Sequence, residues 1–536
     1  MSTRRLITGV AGAATMIAVL TIVSRLLGFG RWLVQAATVQ AGAVGNAYAT
    51  ANTIPNVLYE VVAGGALAGA VVPLLAGPIA RKIADDVNRT SSALLTWAVL
   101  ALVPFALAVS LLARPIAEVL PQSVDGDPAA QVELTTFFLI VFAPQVVLYG
   151  IGVVLTGVLQ AHRRFLAPAL APIASTTVVI VSYLVFGRLA AGMQNNPEQL
   201  SDAALAWLAW GTTAGVAVMS LPMLVPVWRC GVRLRPTLRF PPGVARRAGA
   251  LAMAGLGTLV AQQLSVIVVV WLSRAGGSEG TINIFQWTQA VYLLPYAVLA
   301  LPLATAVFPK LAELASGGHR DLFARTAESS TRAVIAVSFL GAGALVAVAP
   351  AAETVFSQRN DTTGMTMALT LMAPGVIGLA LIFHLSRALF SLDRQRSAVA
   401  ATGAGWLAVT VAAVVGVQLV APEGGRPAAT LGALGLAHTI GMSAAGVGLL
   451  LALARALPGS VRTGTLRTIG VGLLGASVGA LVGRWATTVV LDLAGTSLLA
   501  AVLAGALGAV LAAAGVAGAV GLADRGILST LRRTRA

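Results

Sequence analysis

The chain has 536 residues, 57% of them hydrophobic and only 10% charged, with a mean hydropathy of +0.88. A soluble chain of this length needs far more polar surface, so the composition excludes a soluble multidomain protein and points to a polytopic membrane protein. A single cysteine, Cys230, excludes a disulfide framework and a cysteine-rich metal site, and the distribution of the +16 net charge argues against nucleic acid.

At the N-terminus, MSTRR followed by LITGVAGAATMIAVL has the outline of a secretion signal. The apolar run continues past any plausible cleavage point, so the segment reads as a first membrane helix with a short cytoplasmic tail. Apolar stretches of membrane-spanning length predict about fourteen helices, at 9–36, 47–76, 91–112, 132–160, 167–187, 203–227, 244–272, 281–308, 332–350, 365–390, 397–419, 429–453, 467–490 and 497–522.

With the N-terminus inside, the outer segments take Arg114, Arg188, Arg274, Arg359, Arg426 and Arg484. Apart from Arg25 and Arg31, the remaining basic residues of the 35 fall on the cytoplasmic side. That asymmetry is the positive-inside pattern, with both termini cytoplasmic. The longest connections, 228–248 and 310–333, are cytoplasmic; the second has the apolar spacing of a helix lying on the leaflet or of a solvated linker.

A weak internal repeat pairs PNVLYEVVAGGALAGAVVPLLA (55–76) with PYAVLALPLATAVFPKLAEL (295–314), and GVLQAHRRFLAPALA (157–171) with RALFSLDRQRSAVAA (387–401). The expected fold is therefore an all-α polytopic membrane protein of two six-helix lobes with parallel pseudo-repeat topology, plus two C-terminal helices. Its segments are an N-lobe at 1–228, a cytoplasmic linker at 229–243, a C-lobe at 244–457, and two helices with a basic tail at 458–536. Duplicated halves around a site are a transporter design.

SRLLGFGR (24–31) places Arg25 and Arg31 in the first span. Each costs roughly 2.5–3.5 kcal/mol at a helix centre even on the mild insertion scale, so intramembrane charges are functional candidates. Ser24 and Arg31 share a stripe, and Gly28 and Gly30 allow the helix to bend. In the second span Asn52, Asn56, Tyr59 and Glu60 share one face, loosened by Pro55. In the eighth, Asn283, Gln286 and Gln289 form another stripe, with Gln262 and Gln263 on the seventh nearby in sequence. Two readings compete. Arg25 and Glu60 form a structural ion pair and the amides bond between helices, or the three faces line a hydrated cavity between the lobes; the latter accounts for all three together.

SRLLGFGR, NAYATANTIPN (46–56), AGGALAGAVVPLL, LQAHRRFLAPALAP (159–172), LPYAVLALPLATAVFPKL (294–311) and ALFSLDRQRSA (388–398) resemble the MurJ/MviN lipid II flippases of the MOP superfamily. The resemblance covers helices 1–12 by motif and helices 13–14 by count. It implies a fourteen-helix flippase working by alternating access, whose cationic central cavity takes the pyrophosphate-sugar headgroup, with helices 13–14 forming a groove for the polyprenyl tail. Ser24, Arg25 and Arg31 match the family's first-helix motif. Many members carry arginines where this chain has Tyr59, Glu60 and Gln289, and an acid where it has Asn46. The implied cavity is less cationic, and Arg25 and Arg31 carry more of the binding. Helices 7, 11 and 12 hold no acid for a family-type sodium site.

The implied partners are lipid II or a related polyprenyl-pyrophosphate lipid, the bilayer, and cell-wall synthesis or division proteins, with no nucleic acid, cofactor, metal or catalytic residue. The location is the bacterial cytoplasmic membrane. Rival readings are a flippase for another polyprenyl-linked saccharide, a MATE-like exporter, and a transport-inactive scaffold. A membrane enzyme is disfavoured, because the outer acids sit on short loops without His or Cys companions. His384 and His438 are lone histidines that read as packed or hydrogen-bonded.

Overall fold

The computed structural model describes residues 3–61, 68–121, 127–246, 248–249, 256–457 and 463–523, and among them every regular element is helical. The chain divides into two compact units, residues 1–122 with 126–263, and 264–536 with 123–125. Among the described residues, eleven helices are long and apolar enough to cross a membrane, and a bent pair adds a twelfth. Each overlaps one of the expected spans from 91–112 onward. The first expected span is the helix Thr3–Thr38, and the second is carried by Ala43–Tyr59 and Ala68–Ala80, with 62–67 outside the described residues.

The first unit holds α1 (Thr3–Thr38), α2 (Ala43–Tyr59), α3 (Ala68–Ala80), α4 (Ala84–Leu111), α5 (Ala113–Val119), α6 (Pro128–Ala161), α7 (Leu166–Ala190), α8 (Asp202–Ser220) and α9 (Leu224–Arg229). Helix starts follow local chemistry. Asp127 caps α6 by accepting from the Ala129 N–H at 3.0 Å, with Pro128 as first residue, and Ser201 caps α8 from Ala204 at 3.3 Å. Phe138, Phe142, Tyr48, Tyr183 and Phe186 form the buried core joining α2, α6 and α7.

The connection after α9 is ordered by a register match. It runs extended along α4, and the N–H groups of Arg233, Arg235 and Thr237 donate to Asn88 Oδ1, Ser92 Oγ and Thr96 Oγ1 at 2.8, 3.0 and 3.1 Å. Two residues of strand advance about 6.6 Å and four residues of helix about 6.0 Å, so the ladder stays in step. Val232 is buried below this strap while Arg233 and Arg235 face outward.

In the second unit lie most of α10 (Leu256–Ala275), then α11 (Thr281–Pro295), α12 (Leu301–Ser316), α13 (Arg320–Phe356), α14 (Met365–Met372), α15 (Gly375–Ser391), α16 (Gln395–Val420), α17 (Pro427–Ala456), α18 (Thr463–Ala494) and α19 (Leu498–Ala523). The glycines and alanines of the last two helices let them pack closely: a Cβ at Gly479 would lie 2.6 Å from the Ala512 carbonyl oxygen.

The repeat appears as repeated turns. Lys82 and Gly318 are left-handed (φ 57° and 72°), and the next residue in each case bonds back five positions, Ile83 N–H to Pro78 O and His319 N–H to Leu314 O. Arg163 and Asp393 (φ 58° and 56°) do the same through Arg164 to Leu159 and Arg394 to Leu389. Arg163 and Asp393 stand at the same place in their aligned segments, and Lys82 and Gly318 lie just beyond the ends of theirs, in step with the AVVPLLA and AVFPKLA match. A matching proline has different outcomes: Pro144 lies within the continuous α6, whereas the chain bends by 44° between α14 and α15, beside Pro374. There Thr439 Oγ1 lies 2.6 Å from Leu371 O and 3.0 Å from Met372 O and accepts from the Gly375 N–H, so the broken turn stays satisfied.

Candidate functional site

Arg31 is the focus of the first unit. The end of α1 packs tightly against α7, where a Cβ at Gly187 would lie 2.8 Å from that of Thr38, and Gln194 Nε2 donates to Thr38 O at 3.0 Å. This close approach sets Arg31 against Tyr183, to whose hydroxyl its Nη1 donates at 3.3 Å. The Tyr183 and Tyr48 hydroxyls are 2.8 Å apart, Tyr48 lies 3.0 Å from Thr212 Oγ1, and Thr212 donates to Leu208 O at 2.7 Å.

A hydroxyl has one proton, which fixes the direction of this chain. Thr212 gives its proton to Leu208 O and so accepts from Tyr48. Tyr48 then accepts from Tyr183, whose free lone pair is left for Arg31. Every dipole points its negative end toward the guanidinium. The rings hold this geometry: Tyr48 packs edge-on against Phe138, Phe142 and Tyr183 at 5.6, 5.5 and 5.9 Å. Trp32 lies under the guanidinium at 4.4 Å from the ring centroid. Arg31 is thus steadied by hydroxyls and a ring, with no carboxylate in ion-pair contact. Its other N–H groups have no protein acceptor among the described residues.

A second polar cluster adjoins it. Tyr149 Oη donates to Asn56 Oδ1 at 3.1 Å, and Asn56 Nδ2 donates to Asn52 O at 2.7 Å. The Tyr59 and Tyr149 rings lie 4.4 Å apart at 36°. Tyr149 lies within electrostatic range of Arg31 and Glu60, so the two clusters form one polar region. At its edge α2 widens into a π turn at Glu60 and Val61, and Glu60 is exposed.

The region gathers Arg31, Asn52, Asn56, Tyr59 and Glu60 of the expected residues. Ser24 is half-buried and Arg25 exposed, and no ion pair joins Arg25 to Glu60. Asn283, buried, and Gln286 and Gln289, half-buried, lie on α11 in the other unit. His384 bonds Ser330 Oγ at 3.1 Å, and His438 packs edge-on against Tyr292 and Trp406, as their isolation in sequence suggests. Among the described residues no three His, Cys, Asp or Glu side chains come together.

Sequence reasoning missed Tyr48, Tyr149, Tyr183 and Thr212. A signal existed for the tyrosines: the chain has only six, and four of them meet here. Tyr48 also lies one turn before Asn52 on the same stripe.

Two related helical units, the first carrying an arginine with no carboxylate in ion-pair contact among the described residues, define a polytopic membrane protein of the MOP fold. The structure is similar to that of a MATE-family multidrug transporter of the MOP superfamily in an inward-facing conformation, with a TM-score of 0.63 at 13% identity over 81% of this chain and 94% of that one. It is also similar to a solved lipid II flippase MurJ in an inward closed conformation, with a TM-score of 0.69 at 17% identity over 93% of this chain and 98% of that one. The chain belongs to the lipid II flippase MurJ family, whose profile matches residues 35–509. Relatives include a probable lipid II flippase MurJ of Rhizobium meliloti, 26% identical over 64% of this chain and 62% of that protein. The lipid II flippase MurJ of Burkholderia cenocepacia is 26% identical over 68% of this chain and 69% of its own length.

Proposed function

We propose that this multi-pass membrane protein moves lipid II, a polyprenyl-pyrophosphate-linked headgroup, from the inner to the outer leaflet by alternating access. The observation that carries this reading is Arg31, held in a membrane helix by a directed hydroxyl chain with no carboxylate in ion-pair contact among the described residues. A guanidinium kept charged, with donors to spare, is suited to a pyrophosphate, which cannot cross hydrocarbon bare. The neighbouring Tyr59–Tyr149 pair and the Asn52 and Asn56 amides offer ring faces and hydrogen bonds to sugars. Ser24, Arg25 and the α11 amides Asn283, Gln286 and Gln289 complete the substrate path in this reading.

The arginine asymmetry puts both termini in the cytoplasm. An inside-negative potential then favours outward movement of two negative charges by about 2.3 kcal/mol per charge per 100 mV, or roughly 4–5 kcal/mol in all. Export would need no coupled ion, in keeping with the absence of acids from spans 7, 11 and 12.

The test is replacement in a host whose own lipid II flippase is depleted. The chain is expected to sustain wall synthesis and the Arg31→Ala chain to fail while inserting at normal levels. Failure of the unaltered, correctly inserted chain would remove the assignment.

A further inference from the structure

A cavity far along the chain from Arg31 has a chemistry of its own. It lies between the N-terminal end of α16 and the C-terminal end of α17, has a volume of about 380 Å³, and is lined by Arg394, Ser397, Ala400, Ala401, Gly448 and Arg455, among others. Neither guanidinium group has an ion-pair or hydrogen-bond partner among the described residues, and the only acid nearby in sequence, Asp393, does not line the cavity.

The two arginines differ in what their helices explain. Arg455, in the last turn of α17, complements the negative end of that helix. Arg394 stands at the cap position of α16, where the dipole is positive; its own N–H donates to Leu389 O at 2.9 Å and the Ser397 N–H to Arg394 O at 3.1 Å, which leaves the Gln395 and Arg396 N–H groups without a backbone acceptor among the described residues. The first turn of α16 holds no acid and adds Arg396. Arginine there opposes the positive helix end, and an anion shared between the two guanidinium groups and the helix end would relieve that opposition.

The floor selects among anions. Gly448 and Ala452 are one turn apart on α17, and Ser397, Ala400 and Ala401 share a face of α16. A Cβ at Gly448 would lie 3.1 Å from that of Ala401, so the helices nearly touch and the groove floor is smooth and apolar. Both helices continue into membrane-crossing spans. A free phosphate would leave this floor unused, whereas a glycerophospholipid lays its ester region on it. We propose that this cavity binds the phosphodiester headgroup of an anionic glycerophospholipid, at the level where basic pockets between membrane helices meet headgroups. Only its assignment to the inner leaflet rests on the orientation given under Proposed function.

The experiment is native mass spectrometry of the purified full-length protein in neutral detergent, titrated with phosphatidylglycerol or phosphatidylcholine. Phosphatidylglycerol is expected to be retained at least about tenfold more tightly, because phosphatidylcholine carries the same phosphodiester beside a quaternary ammonium that the two guanidinium groups repel. The double variant Arg394→Gln, Arg455→Gln should bind the two lipids equally. Ala400→Leu, which fills the groove and keeps both arginines, should also weaken phosphatidylglycerol, and Arg396→Gln, outside the cavity, should not. Thermal unfolding of each variant confirms that it is folded. Equal retention of the two lipids by the unaltered protein, undiminished binding by the double variant, or full displacement by millimolar inorganic phosphate would overturn the proposal. Lipid retention is read without transport, so a failed flippase assignment leaves this result intact.

Discussion

The two halves of the repeat place the same backbone device in opposite chemical settings. Pro55 precedes a π turn at Glu60 and Val61, and Pro295 precedes one at Tyr296–Ala300. Around Pro55 stand Asn52, Asn56, Tyr59 and Glu60, with Arg31 within electrostatic range of their partner Tyr149. Around Pro295 the chain is apolar, and the α11 amides before it share their helix with packed rings. Trp287 stacks on Phe356 at 5.4 Å, and Tyr292 meets His438 edge-on at 5.0 Å. The turn recurs, but a directed hydroxyl chain on an arginine is described in the first half alone; in the second, Arg387 lies over the Phe383 ring at 3.8 Å and Arg484 Nη1 donates to Thr370 Oγ1 at 2.9 Å. Anion recognition by this protein is therefore expected to be asymmetric.

Removing the charge is the most forceful way to break that asymmetry. Arg31→Ala should lower lipid II export by about 10- to 150-fold, the equivalent of a charge-assisted hydrogen bond worth about 1.5–3 kcal/mol. Arg31→Lys should recover only part, since a point charge lacks the fork that spans two oxygens. Export assays in vesicles, with protein level and melting temperature measured in parallel, check both. A stable Arg31→Ala protein with normal export would place the anion elsewhere.

The hydroxyl chain sharpens the same comparison, because it exists in the first unit alone among the interactions described. Tyr183→Phe keeps the ring and its packing but removes the acceptor facing Arg31 and the proton given to Tyr48. A net hydrogen bond of about 0.5–1.5 kcal/mol predicts a fall of about 2- to 12-fold in headgroup affinity. Binding of a pyrophosphate headgroup analogue, measured by calorimetry, reads the change directly. Unchanged affinity would mean that Arg31 is positioned by its helix and Trp32 without help from the tyrosines.

How much of this was readable in the sequence differs between fold and site. The spans follow from apolar runs, because these are short-range properties of consecutive residues; the repeat was visible, whereas the left-handed turns it carries were not read from it. The bend beside Pro374 was not legible: Pro144 occupies the matching place without a break, and what stabilises the bend is Thr439, sixty-five residues away. The site shows the same split. Asn52, Asn56, Tyr59 and Glu60 were visible as a stripe, since helical periodicity reports a face. Tyr183 and Thr212 belong to no such stripe: Tyr183 was marked only by the scarcity of tyrosine, and Thr212 gains meaning only where α8 meets α2.

Changes on α11 should be smaller than any on Arg31. The double variant Gln286→Ala, Gln289→Ala removes two neutral amides, which compete with water for the same sugar hydroxyls. The expected loss in export is about threefold or less, below the net value of one well-formed hydrogen bond. If this double variant is instead as damaging as Arg31→Ala, recognition is shared equally between the halves and the asymmetry fails.

The smallest expected effect concerns Arg25 and Glu60, whose charges invite an ion pair that the structure does not form. Both side chains are exposed, and neither has a charged partner among the described residues. In a thermal-stability cycle of Arg25→Ala, Glu60→Ala and the double variant, the coupling should fall within about 0.5 kcal/mol, as for independent sites. A buried pair would behave differently: removing one member strands a charge at a cost of about 3–5 kcal/mol, and the double variant recovers much of it. Glu60 should matter instead through long-range repulsion of the substrate. Glu60→Gln, which keeps the shape and hydrogen bonding of the side chain, should fold normally and hold the pyrophosphate headgroup more tightly, with export slowed at release rather than at loading. Single-turnover measurements separate the two steps. Coupling of several kcal/mol with unaltered headgroup affinity would make the pair structural and remove Glu60 from the polar region around Arg31.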